Sequence, residues 1–229
     1  MTIGYDNVRV NQGLLLDLRF QEGSGLITRD FATPQHKDPT LTGAPAWAQR
    51  ANGLNVLDFN PGHPDFIQIA GVDSADLDFT TEDFSALIWV YLDTNANGNV
   101  LLGRGLSNTD GWDFGVLNSG AFYMRTNQGG ANQYTAGGPT TLGAWYMLGF
   151  VRSNTVVRMY AQGVDVTTTP STHVDPLTSA RKLHVGVSES ETSTYAVDGK
   201  MYRPRIWSRA LPASEIKFIY ESERGLLGV

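Results

Sequence analysis

The chain has 229 residues, 41% of them hydrophobic and 10% aromatic, which is enough for a sizeable core and excludes global disorder. A formal net charge of −6 argues against sequence-independent binding to nucleic acid, which needs a basic footprint. With no cysteine, disulfides, thiolate metal sites and cysteine nucleophiles are excluded.

Met1 to Asn7 has neither a basic n-region nor an apolar h-region, so no signal peptide is expected. No window is long and apolar enough for a membrane span. Residues 1–12 read as a polar lead-in. Leu14 to Phe20 then alternates, with Leu14, Leu16, Leu18 and Phe20 facing in and Asp17 and Arg19 facing out. The chain turns at Glu22-Gly23-Ser24-Gly25 and runs irregularly from Asp30 to about Asn52, through Pro34, Pro39 and Pro45. Leu54 to Phe59 and Phe66 to Ala70 read as strands, and Asp73 to Asp83 as an acidic loop.

Phe84 to Asp93 is the strongest strand. It has no Gly or Pro, and it is apolar on both faces: Phe84, Ala86, Ile88, Val90 and Leu92 on one, Leu87, Trp89 and Tyr91 on the other. Such a strand needs something packed on each side. Asn95 to Asn99 makes a hairpin turn into Val100 to Arg104, followed by Trp112 to Leu117 and Ala121 to Thr126. Asn127 to Gln133 reads as a loop tip. Trp145 to Arg152 and Val156 to Gln162 form a second hairpin, and Val164 to Thr167 a short strand. Asp165 to Ser179 reads as loop, Lys182 to Val187 and Met201 to Trp207 as the last strands, and residues 212–224 as the one helix, with Pro212 in its first turn. No composition break divides residues 1–229, so one all-β domain is expected: a two-sheet antiparallel β-sandwich with one short C-terminal helix.

The order of these elements resembles the laminin-G-like, concanavalin A-like lectin/glucanase jelly roll. Leu14 to Gly25 is similar to that family's opening strand and turn, and Phe84 to Val90 to its Phe-Thr-Ile-Ser-Ala-Trp-Val strand. Trp145 to Arg152 with Met159 to Gly163 is similar to its second hairpin. Asp198-Gly199, Arg205 to Leu211 and the helix carrying Glu215-Ile216 resemble its closing signature. The resemblance implies a fold that serves lectins, adhesion modules, glycan hydrolases and virion proteins alike.

Hydrolases of the fold carry clustered carboxylates on one strand, and no such run exists here. Glu189-Ser190-Glu191 and Asp76-Leu77-Asp78 read as solvated acids in loops, so no catalytic residues are expected. The resemblance would place one calcium carboxylate at Asp30, with Asp38 as a second option. Tyr202 stands where the family's other acid would be, with Arg203 beside it, so calcium is disfavoured, no cofactor is expected, and Asp30 is expected to cap a turn. His36, His63, His173 and His184 lack ligand spacing and read as loop or surface residues. Trp89, Trp145 and Trp207 are assigned to the core.

A glycan or protein patch needs flat rings beside amides and charges. Trp112, Tyr123, Arg125, Asn127, Asn132 and Tyr134 are the candidates. Three functions follow. The first is a non-catalytic recognition or structural module, such as a phage virion accessory, decoration or fibre-associated protein. It would be made in the cytoplasm, reach the outside on lysis, and associate as a homo-oligomer or with other virion subunits. The second is a carbohydrate-binding lectin domain. The third and least favoured is a hydrolase.

Overall fold

The computed structural model describes residues 8–36, 38–62, 64–169 and 172–229. Sixteen strands follow one another among them: β1 (Leu14–Asp17), β2 (Thr40–Thr42), β3 (Ala46–Gln49), β4 (Asn55–Phe59), β5 (Phe66–Ile69), β6 (Phe84–Thr94), β7 (Asn99–Leu106) and β8 (Asp110–Val116); then β9 (Ala121–Gln128), β10 (Ala131–Pro139), β11 (Trp145–Ser153), β12 (Val156–Ala161), β13 (Val164–Asp165), β14 (Thr167–Thr169), β15 (Leu183–Val185) and β16 (Asp198–Trp207). Strand content is 46%, about twice the ~20–25% of an average domain. They form two eight-stranded antiparallel sheets, ordered β13-β12-β11-β6-β16-β4-β3, with β1 on β16, and β14-β10-β9-β8-β7-β15-β5-β2. This is the expected jelly-roll sandwich. A helical turn, α1 (Val8–Asn11), precedes β1, and one longer helix, α2 (Ala213–Glu223), closes the chain. No helix among the described residues is long and apolar enough to cross a membrane.

The two-faced pattern of β6 is explained by its position. It lies between β11 and β16, and Phe84 points between the sheets, stacking on Phe79 at 4.2 Å and meeting Trp112 and Phe150. Trp89 points the other way, under α2, where its ring lies 5.9 Å from that of Tyr220. Trp89, Trp145 and Trp207 are all buried.

The same helix covers a buried ionic cluster. Asp17 does not face solvent, as alternation had suggested. It accepts from Arg203 Nε at 3.0 Å and Arg203 Nη2 at 3.2 Å. Glu223 of α2 accepts from Arg203 Nη1 and Arg205 Nη2, both at 2.8 Å, and from Trp89 Nε1 at 2.7 Å. A register shift between Tyr202 and Arg205, with Arg203 at φ 53°, aims both guanidiniums at the helix. Burial pushes the Asp17 carboxyl up, but Arg203 beside it outweighs that and holds it below the usual carboxylate range.

Three histidines are interior, not surface, residues. His173 lies between Thr126 Oγ1 at 3.0 Å and Thr135 Oγ1 at 2.9 Å, and burial, helped by Arg152, pushes its pKa down to about 4. His36 bridges Asp30 and Asp76 at 2.7 and 2.8 Å. His184 lies on β15, and His63 falls outside the described residues. The segment from Asp165 to Ser179 carries the end of β13 and all of β14 and is not loop throughout.

Candidate functional site

The candidate site follows from strand parity on β7 to β10. On β8, Trp112, Phe114 and Val116 point into the core, which leaves Gly111, Asp113 and Gly115 on the outer face. On β9 the same rule sends Phe122, Met124 and Thr126 inward and Tyr123, Arg125 and Asn127 outward. Register then aligns a row across the outer face: His184, Gly103, Asp113, Arg125 and Tyr134, on five neighbouring strands.

Glycine keeps the middle of that face low. A Cβ at Gly115 would lie 2.4 Å from Asn99 O and 3.0 Å from the Tyr123 hydroxyl, so the phenol lies over a position where no side chain fits. Gly111, at φ +67°, would put a Cβ 1.9 Å from Arg104 O. The result is a groove of about 660 Å³, within the range of small-ligand sites. Its sides carry two half-exposed rings, Tyr134 on β10 and Tyr195 in the 3₁₀ turn Ser193–Tyr195. Tyr195 Cδ1 lies 4.0 Å from where a Gly98 side chain would begin, at the entry to β7. Strands β10 and β7 are three spacings apart, on the order of 14 Å, which sets the breadth of the strip across the sheet.

The polar groups in the strip are held in place. Arg125 donates through Nε and Nη2 to both Asp113 oxygens, at 2.9 and 3.0 Å, and Asn127 Nδ2 adds a third contact to Asp113 at 3.2 Å. Arg125 also lies over the Tyr123 ring at 5.4 Å. Burial first, and the Asp113 carboxylate second, push the Tyr123 phenol well above its ordinary pKa. Asn132 lines the groove and donates to Asn108 Oδ1.

Four of the six expected patch residues, Tyr123, Arg125, Asn132 and Tyr134, therefore come together. Trp112 does not join them. It is fully buried, packs on Phe84 at 5.2 Å and donates its indole N–H to Leu77 O at 3.0 Å. Asn127 is also buried, bracing Asp113 and accepting from Asn108 N. It ends no loop tip either, because β9 continues to Gln128 and β10 starts at Ala131.

Sequence reasoning missed the far wall, which the segment between β15 and β16 supplies. Glu189 lines the groove and is only 17% exposed, with Oε1 3.4 Å from Arg181 Nη1 and Oε2 3.2 Å from His184 Nδ1. Glu191 pairs with Lys182 at 2.7 Å and His184 at 3.0 Å. Neither is a freely solvated loop acid. Of the other acidic pair, Asp76 holds His36, and Asp78 accepts from Thr178 Oγ1 and Ser179 N.

The donor set at the calcium candidates does not fit a cation. Asp30 Oδ1 accepts from the backbone N–H groups of Asp17 and Ala32, both at 2.9 Å, and Oδ2 from His36 N at 3.2 Å and His36 Nδ1 at 2.7 Å. It braces a turn, as expected. Asp38 is exposed and accepts from Gln35 Nε2. No group of three or more His, Asp or Glu side chains among the described residues is placed to hold a metal.

Residues 68–217 match the family described as the Concanavalin A-like lectin/glucanases superfamily. No curated protein is matched by the sequence. Among solved structures, the binding domain of Paraclostridial Mosquitocidal Protein 1 is similar at a TM-score of 0.71 and 12% identity, over 93% of this chain and 53% of that one. Botulinum neurotoxin type C, which depends on two ganglioside molecules to get into cells, is similar at 0.69 and 11%, over 94% and 52%. This chain thus spans about half the length of both. Domain 4 of AbnA, a GH43 extracellular arabinanase from Geobacillus stearothermophilus, in complex with arabinotriose, is similar at 0.66 and 18%, over 90% and 98%. At these identities the likeness is one of fold.

Proposed function

This chain belongs to the Concanavalin A-like lectin/glucanases superfamily, and from that premise we propose that it is a non-catalytic glycan-binding module whose site is the groove on β7 to β10. One observation carries the reading: two half-exposed tyrosine rings, Tyr134 and Tyr195, flank a glycine-lowered strip that holds a fixed guanidinium, a carboxylate and a phenol. Flat rings suit the C–H faces of sugars, and the fixed polar groups suit their hydroxyls. The arabinotriose on the AbnA domain and the gangliosides of the neurotoxin support the same ligand class. Both carboxylates lining the groove are engaged by guanidinium groups, which favours binding over turnover.

The test is a glycan array followed by titration of its hits. Tyr134→Ala is expected to lower affinity about tenfold, the upper end of what one aromatic contact contributes, with an unchanged melting temperature. The alternative role, a virion accessory, decoration or fibre-associated subunit released on lysis, predicts a blank array and self-association or binding to a virion partner. That result would overturn the proposal, and so would release of reducing sugar above background.

A further inference from the structure

We infer that the groove selects uncharged glycans and rejects anionic ones, with Asp113 as the residue that sets this preference. The inference rests on the glycan-binding reading above. Among the described residues lining the groove, the charged ones are Asp113, Arg125 and Glu189, so carboxylates outnumber cations. A sialate, uronate or sulfate group is gripped best by the two-pronged edge of a guanidinium. The side-on edge of Arg125 is taken, because Nε and Nη2 both bind Asp113, so an anion could approach only the Nη1 side of a guanidinium whose charge is already matched. Asp113 is 5% exposed and is held from a second side by Asn127 Nδ2 at 3.2 Å, so it is not free to swing away.

The cations around the groove are matched in the same way. Arg181 donates through Nε to Asp110, at 3.0 and 3.1 Å, and faces Glu189 at 3.4 Å, while Lys182 binds Glu191 at 2.7 Å. The buried His184 ring sits between Glu189 and Glu191. An acidic sugar entering the strip would find each of these cations already paired with a carboxylate, and a groove lining with one more carboxylate than cations. A neutral sugar meets hydroxyl and amide groups instead, from Tyr123, Ser107, Ser188 and Asn118.

The experiment uses the full chain on an array carrying neutral pentose and hexose oligosaccharides beside sialylated, uronate-containing and sulfated ones. The neutral oligosaccharide bound best is then compared by calorimetry with its uronate counterpart, at low and high salt. The hits are expected to be neutral, the uronate at least about tenfold weaker (about 1.4 kcal/mol), and the neutral affinity unmoved by salt. Asp113→Asn frees the fork of Arg125 and is expected to narrow the gap. Acidic glycans bound as tightly as neutral ones, or an affinity that falls steeply with salt, would overturn the inference and leave the glycan-binding reading standing. A blank array would overturn both. Should Asp113→Asn fail to fold, the wild-type ratio still decides.

Discussion

Replacing Trp112 by Ala separates a core role from a binding role. The indole is fully buried, with the rings of Phe84, Phe150 and Phe79 at 5.2, 6.0 and 6.2 Å, and its N–H satisfies Leu77 O at 3.0 Å. Truncation to Ala opens a cavity walled by rings that cannot collapse far, at a cost of roughly 3–5 kcal/mol. The orphaned Leu77 carbonyl adds about 1 kcal/mol. Against a total stability of about 5–15 kcal/mol, much of the folded population is at risk. Trp112→Phe keeps a ring in the site and loses the N–H, so roughly 1–2 kcal/mol is expected. Urea denaturation followed by far-UV circular dichroism measures both variants, since that signal comes mainly from the backbone amides. A Trp112→Ala protein within about 1 kcal/mol of wild type, yet unable to bind its glycan, would place the indole in the groove and refute the parity argument.

Glu223→Ala removes the shared acceptor of Arg203, Arg205 and Trp89, and should cost about 3–5 kcal/mol, since breaking a buried pair leaves its cation uncompensated; a urea midpoint matching wild type would contradict this. His173 has its folded pKa lowered to about 4 from 6.5, so its contribution is full above pH 6.5 and is lost as pH falls toward 4, by about 1.4 kcal/mol per pH unit. Denaturation at pH 6.5 and 5 should show that loss, and an NMR titration placing His173 above pH 6 would refute it. A chelator should leave the melting temperature unchanged, because the Asp30 oxygens accept from protein donors; a fall of many degrees that calcium reverses would reveal a site elsewhere.

The sequence carried the two-faced character of β6, because it is local: an apolar residue at every position of Phe84 to Leu92 bar Ser85 leaves no solvent face. It missed β2 and β3, inside the stretch read as irregular, and β10, whose start was read as a loop tip, because their exposed, Pro- and Gly-bearing segments pair only through their neighbours. It also carried the division of the aromatic candidates, although grouping by proximity hid it. Trp112, Phe114 and Val116 share one parity, while Gly111, Asp113 and Gly115 share the other, so Trp112 belonged with the apolar set. The far wall was not legible. Glu189 and Tyr195 reach the groove because β15 pairs with β7 some eighty residues earlier, and no spacing within Ser188 to Tyr195 encodes that register. Asp17 was misread for a related reason, and Arg203 and Arg205 share its surroundings. On an uncovered sheet those positions would be solvated, and the packing of α2 alone makes them interior.

The two outer faces of the sandwich therefore have different uses. Across β1, β6 and β16 the outer face is closed by α2, and its charges pair with one another beneath the helix. Across β7 to β10 the outer face stays open, and glycines at 103, 105, 111 and 115 keep it low where larger residues would fill it. A shallow strip of bare backbone would bind a flexible, hydroxylated ligand poorly if its polar side chains had to be ordered on contact, since each immobilised side chain costs roughly 0.5–1.5 kcal/mol. Here Asp113 holds Arg125, Asn127 holds Asp113, and Tyr123 is covered by the guanidinium, so that ordering is already complete in the free protein. What stays open to a ligand is the pair of half-exposed rings, Tyr134 and Tyr195, against which the face of a sugar can rest while the strip between them is already held.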